Sequence, residues 1–148
     1  MNSNENAQTL ERFVRAQDPI HGRAAKELTA GRKQSHWMWF VFPQLLGLGS
    51  SVMAQRYAIR DLDEARRYLA HPVLGSRLRE DVRLMMQHNG KSALEILGTP
   101  DDIKFRSCLT LFREAASEKS DQALFAQALE RFYGGAPDPR TIQALQAD

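Results

Sequence analysis

Apolar residues return along the chain mostly at spacings of three and four, the period of a helix with one buried face. Leu10, Phe13, Val14 and Gln17 mark a first amphipathic stretch, and Ile20, Ala24 and Leu28 a second that Gly31 would stop. Leu62, Ala65 and Leu69 predict a helix over 62–70, and Leu74, Leu78, Val82 and Met85/Met86 one that runs to Asn89-Gly90. Phe105, Cys108/Leu109, Phe112 and Ala115/Ala116 share a face. So do Leu124, Phe125, Ala128, Leu129 and Phe132, closed by Gly134-Gly135. Ile142 and Leu145 belong to a final turn.

Start signals agree with this pattern. Asp18-Pro19, Thr99-Pro100 and Asp138-Pro139, and more weakly His71-Pro72, set a cap before a proline whose fixed φ suits a first helical turn. Asp61 with Glu64 and Ser92 with Glu95 have capping-box spacing. The chain therefore predicts an all-α fold: a single compact domain of about six to eight helices, several of them short. It would span residues 9–148, behind a flexible polar tail at residues 1–8. Two segments also suit strands, the aromatic run from Trp37 to Phe42 and the alternation of Ile103, Phe105, Leu109 and Leu111. A two-stranded element joining them is the alternative. The Thr-Pro start before the second segment and Glu114-Ala115-Ala116 after it favour helix.

Composition narrows the function classes. The chain has 148 residues, about one domain, with 43% apolar and 26% charged side chains, too apolar for a disordered chain. A net charge of +2 argues against a dedicated nucleic-acid binder or a polybasic membrane binder. Seven arginines fall within 56–83 (Arg56, Arg60, Arg66, Arg67, Arg77, Arg79, Arg83), against five acids. They fit a solvated helix face with pairs such as Asp63-Arg67 better than a phosphate-binding patch. The lone Cys108 excludes a disulfide framework within the chain, and no histidine or carboxylate spacing fits a metal, so neither metal nor cofactor is expected. The polar start and the lack of a long apolar run predict a cytoplasmic protein without membrane association.

One segment stands out. Four of the twelve aromatics (Trp37, Trp39, Phe40, Phe42) fall within six residues, in the run Lys33-Gln34-Ser35-His36-Trp37-Met38-Trp39-Phe40-Val41-Phe42-Pro43-Gln44. As a helix it would be apolar almost all round, so it is either buried or covers a pocket. The block HWMWFVFPQLLGLGSS, with YAIRDLDEARRYLAHPVLGSRL and DDIKFRSCLTLF after it, resembles a bacterial family known as domain of unknown function 1810, sometimes labelled calpastatin. The likeness covers about Leu10 to Leu145. It implies a small, mainly α-helical domain and brings no established activity, so no catalytic residue is carried over. The proline-tyrosine-arginine motif of true calpastatin is missing here. Family members more often have Ser where Cys108 stands, which fits a small packed position rather than a nucleophile.

The candidate chemistry lies in and near the aromatic block. His36 can pass protons near neutral pH. Asp101, Lys104 and Ser107 share a helical face with Asp102 beside them. His36, Asp102 and Lys104 are the candidate acid–base residues; Lys33, His36, Trp37, Trp39, Gln44 and Ser107 are the candidate ligand-binding set. Aromatic walls with a few cations suit a small polar or nucleotide-like ligand, bound or processed in a Trp/His/Lys-lined pocket. The alternative is a protein-interaction module presenting Leu45, Leu46 and Leu48. A structural role, with the aromatics in the core, competes with both, and the oligomeric state is left open.

Overall fold

The computed structural model describes residues 3–147, and side chains from Leu10 onward. Its helices are α1 (Ser3–Gln17), α2 (His21–Ala30), α3 (Met38–Val41), α4 (Val52–Arg56), α5 (Leu62–Ala70), α6 (Leu74–Met86), α7 (Ala93–Leu97), α8 (Asp101–Ala115), α9 (Lys119–Tyr133) and α10 (Pro139–Gln146). The fold is all-helical, with ten helices among the described residues rather than six to eight. Three of the ten, α3, α4 and α7, have only four or five residues, and α7 is announced by its Ser92–Glu95 box alone. Such single turns are too short to show a helical period in sequence. The tail expected at residues 1–8 falls partly on Met1 and Asn2, which lie outside the described residues, and partly on the start of α1.

Both segments that also suited strands are helical or irregular. Met38–Val41 is α3, and Ile103, Phe105, Leu109 and Leu111 all lie within α8. Most of their apolar residues are buried on several sides, though Ile103 is 58% exposed. Phe105, Cys108, Leu109, Leu111 and Phe112 are all fully buried, because α5, α7, α9 and α10 pack around α8. Aromatic rings tie this centre to the outer helices. Tyr68 of α5 packs on Phe112 at 5.3 Å and edge-on to Phe13 of α1 at 5.2 Å. Phe112 meets Phe125 of α9 at 5.9 Å. Such pairs add roughly 0.5–1.5 kcal/mol each beyond their area burial.

The caps show how local chemistry sets the boundaries. Ser92 and Glu95 form a complete capping box on α7. The Asp61 side chain accepts from Glu64 N at 2.8 Å, but Glu64 returns its carboxylate to Arg60 N at 3.0 Å, one residue off the standard box. Asp138 caps α10, and its Oδ2 also accepts from Ser107 Oγ at 2.8 Å and Thr141 Oγ1 at 2.6 Å. Asp18 does not cap α2, whose N-cap is Ile20; it pairs instead with Arg77 at 3.0 Å. Most of the arginine-rich stretch is likewise engaged in fixed pairs: Arg67 with Asp63 at 3.1 Å, Arg79 with Asp121 at 2.7 Å and Arg60 with Glu64 at 3.6 Å. The Arg66 guanidinium donates to Ala115 O.

Between α3 and α5 the chain makes a loop closed at its neck by one parallel bridge, Leu45 with Ile59. Leu46 N donates to Ile59 O at 2.8 Å and Ile59 N to Gln44 O at 2.9 Å. The loop so closed carries α4. No described helix is long and apolar enough to cross a membrane.

Candidate functional site

The aromatic block divides into a buried half and a half that faces a slot. α2 ends at Gly31, in the left-handed region at φ 76°. A Cβ there would lie 2.9 Å from both His88 Cε1 and Lys91 Nζ, so the position needs glycine on two counts. The chain then doubles back over Glu27. The Glu27 carboxylate accepts from Gln34 N (2.8 Å), Ser35 N (2.9 Å), Ser35 Oγ (2.6 Å) and the Trp37 indole N–H (2.9 Å). Partial burial pushes its pKa up, but these bonds outweigh that effect and bring it down to about 2. Trp37 is fully buried and meets Phe42 edge-on at 6.1 Å, and Phe42 packs on Phe105 at 4.7 Å.

Trp39, two residues on, points the other way. It borders a narrow slot of about 10 Å³, lined also by Met38, Phe42, Gln44, Ala54, Tyr57 and Lys104. Lys104 of α8 lies 5.9 Å from the Trp39 ring centroid, at the outer edge of a cation–π contact. Three predicted residues, Trp39, Gln44 and Lys104, thus come from two distant parts of the sequence to one cavity. No carboxylate lines it. Among the described residues neither the Gln44 amide, the Tyr57 hydroxyl nor the Lys104 ammonium has a hydrogen-bond or ion-pair partner.

The walls are tightly held. Tyr57 packs edge-on to Phe40 at 5.3 Å and against Phe13 at 6.0 Å. Ala54 seats against Gly49 so closely that a Cβ on Gly49 would lie 2.6 Å from Ala54 Cβ and 3.0 Å from Gln44 Nε2.

The other predicted residues lie elsewhere. Lys33 pairs with Asp101 at 3.0 Å and covers the Trp37 ring at 5.1 Å. Asp101 therefore pairs with the loop that follows α2 rather than with Lys104 on its own face. Ser107 is buried and donates to Asp138. Asp102 Oδ1 is buried without a hydrogen-bond partner, and its carbonyl accepts from Tyr133 OH. Burial, and then the nearby Asp102 charge, raise the Tyr133 pKa. His36 is exposed in the loop before α3 and does not border the slot. Burial raises the Cys108 thiol pKa well above its ordinary value, as a packed thiol requires.

Sequence reasoning missed Tyr57, Met38, Phe42 and Ala54 as slot walls. Tyr57 reads only as the end of a short turn, and the bridge that carries it back to Trp39 has no local signature. Four larger cavities lie elsewhere among the described residues, and two of them, of about 330 and 290 Å³, adjoin Arg12. The remaining two are the largest. One, of about 370 Å³, runs between the ends of α5, α6, α8 and α9, but its Arg79 is spent on Asp121 and Leu69 O. His71 there accepts from Val73 N and Leu74 N. The other is a groove of about 470 Å³ along Leu45, Leu46, Leu62, Ala144 and Leu145. Among the described residues no cluster of His, Cys, Asp and Glu could hold a metal ion.

Comparison with known proteins adds the relationship. A family model described as a protein of unknown function (DUF1810) matches residues 7–145. A crystal structure of a conserved hypothetical protein from Mycobacterium tuberculosis is similar throughout, at 50% identity and a TM-score of 0.89, over 93% of this chain and 96% of that one. No curated protein matches the chain.

Proposed function

The chain belongs to the DUF1810 family of proteins of unknown function, and we propose that in this member the mouth of the slot between α3, α4 and α8 binds a small polar ligand. One observation carries the proposal. Trp39 and Gln44 from one part of the sequence and Lys104 from another border one slot, Lys104 lies 5.9 Å from the Trp39 ring centroid, and neither the Gln44 amide nor the Lys104 ammonium has a hydrogen-bond or ion-pair partner among the described residues. Apolar walls with a few converging polar groups are the usual make-up of a ligand site. The lining holds no carboxylate, imidazole or thiol. That favours binding over acid–base processing, and it leaves His36 and Asp102 without an assigned role.

The interaction reading has one observation behind it. Leu46 is 47% exposed beside the groove that also holds Leu45, Leu62 and Leu145. Leu45 itself is buried and Leu48 half-buried, which leaves a narrow apolar contact.

Thermal shift with a panel of nucleotides, sugar phosphates and small carboxylates tests the proposal on wild type, Lys104→Ala and His36→Ala. A ligand at about 100-fold its Kd adds about 2.7 kcal/mol, a rise on the order of 5–10 °C for a chain of this size. The rise is expected in wild type and His36→Ala and lost in Lys104→Ala. No stabilising compound, or an equal rise in Lys104→Ala, would overturn it.

A further inference from the structure

We infer that a second site, where α1 meets the segment between α4 and α5, takes a small molecule bearing one phosphate monoester group; the inference does not rest on the slot. The site is built around Arg12. Its guanidinium reaches from α1 to that segment and donates to Arg56 O at 2.8 Å, Ala58 O at 2.7 Å and Glu64 Oε1 at 3.4 Å. It also lies 4.3 Å from the centroid of the Phe13 ring. Glu64 in turn accepts from Arg60 N at 3.0 Å and pairs with the Arg60 side chain at 3.6 Å. Because Glu64 is fully buried, it orients both arginines from the inside. Arg12 stands 44 residues before Arg56, so only the fold brings these cations together.

Two hollows share Arg12 as a wall. The first, of about 290 Å³, is lined by Arg12, Gln55, Arg56 and Arg60 with Leu46 and Ala58. It presents three guanidiniums, an amide and, among its described lining residues, no carboxylate. Guanidinium groups match phosphate oxygens with paired N–H donors. Three of them on one hollow favour a group of about −1.5 to −2 charge, as a phosphate monoester has near neutral pH, over a monoanion. Burial chiefly, with the charge of Arg60 added, holds the Arg12 pKa below its ordinary value despite Glu64, and a bound dianion offsets that repulsion. The second hollow, of about 330 Å³, is bordered by Tyr57 and Ala16 together with Glu11 and Arg15, and it has room for the organic part of the ligand. Glu11 there disfavours a second phosphate. At the opposite side, Asp61 and Asp63 line the groove that shares Leu46 and Arg60 with the first hollow. The basic strip is thus short and bracketed by acids, which suits one phosphate on a small molecule and not the backbone of a nucleic acid.

The test is calorimetric titration of the full chain, at about 0.15 M salt, with phenyl phosphate, phenyl sulfate, inorganic phosphate and a single-stranded oligothymidylate. Phenyl phosphate is expected to bind saturably. Phenyl sulfate, which carries one charge, and inorganic phosphate, which lacks the organic part, should bind about 10-fold more weakly. Arg56→Ala should weaken phenyl phosphate by about 10–100-fold, and Arg56→Lys by less. Arg12 is kept throughout, because it also ties α1 to the segment before α5. Should Arg56→Ala fail to fold, Arg60→Gln is read in its place. Equal binding of phenyl sulfate and phenyl phosphate, tighter binding of the oligothymidylate, or an undiminished affinity in Arg56→Ala would each overturn the inference. The variants also separate the two sites. Binding of phenyl phosphate that is kept in Lys104→Ala and lost in Arg56→Ala belongs here, whereas binding lost in Lys104→Ala and kept in Arg56→Ala belongs to the slot and overturns the inference. No binding of any of the four would overturn it as well, and would leave the slot to its own variants.

Discussion

The Trp37 indole N–H donates to Glu27 Oε1 across 2.9 Å, so a fully buried aromatic is anchored by a carboxylate one helix earlier in the chain. The same carboxylate holds two backbone amides and a hydroxyl of the intervening loop. Glu27 thereby sets the angle at which the aromatic block leaves α2. Glu27→Gln keeps the shape but replaces charge-assisted bonds with weaker ones and turns one acceptor into a donor. The expected loss is about 1–3 kcal/mol by chemical denaturation near neutral pH.

The Glu27 pKa adds a pH signature. Its folded value, about 2, lies below the ordinary 4.5. The unfolded chain therefore binds the proton first as pH falls, so this contribution is fully present above pH 4.5 and fades as pH drops toward 2. Melting temperature followed from pH 6 to pH 3 should fall less steeply in Glu27→Gln than in wild type. Parallel slopes would show that the carboxylate is not held as described.

Asp81 carries the opposite sign. It is 3% exposed, and Oδ1 has no hydrogen-bond partner. Burial, reinforced by Glu80 and opposed by Arg77, raises its pKa to about 7 from 3.8. The folded state holds the proton longer, so this group's contribution is most favourable below pH 3.8 and is lost as pH rises through 7. Asp81→Asn should stabilise the protein by about 1–3 kcal/mol above pH 7 and change little near pH 4. Destabilisation at both pH values would mean that the ionised carboxylate has a partner in solution.

The two indoles of the block should behave differently. Trp37→Ala removes a fully buried side chain and is expected to cost about 3–5 kcal/mol, enough to threaten a domain of ordinary stability. Trp39 is only half-buried, and Trp39→Ala should cost clearly less. Emission from Trp37 in a Trp39→Phe protein should be blue-shifted and poorly quenched by acrylamide. Free quenching would contradict its placement.

Gly49→Ala tests the slot wall. The added methyl would lie 2.6 Å from Ala54 Cβ, and the cost expected for overpacking of this kind is about 1–3 kcal/mol. Gly49→Ala with Ala54→Gly removes the clashing atom and should recover part of the loss. A double variant no better than the sum of its singles would show that the wall yields elsewhere.

Much of the helical framework is legible in the sequence because it rests on local chemistry. Ser92 with Glu95 and Asp138 with Pro139 announce helix starts that form as written. Where long-range pairing competes, the local signal misleads. Asp18 looks like the cap of α2 but is drawn to Arg77, 59 residues on, and Asp101 leaves its own helix face for Lys33. The slot was half legible. Trp39, Gln44 and Lys104 stand out by residue type, whereas Tyr57 and Ala54 reach it only through the Leu45–Ile59 bridge, two backbone bonds that no periodicity encodes.

The most direct measurement is a map of amide and side-chain NMR shifts in ¹⁵N-labelled protein on addition of the panel compound that most raises the melting temperature of the wild type. Perturbations should centre on the Trp39 indole N–H, the Gln44 side-chain amide, Tyr57 and Lys104, leave His36 and the Leu45–Leu62 groove unmoved, and vanish in Lys104→Met. Shifts centred on any other surface, or the same shifts in Lys104→Met, would contradict a ligand site built on Trp39 and Lys104.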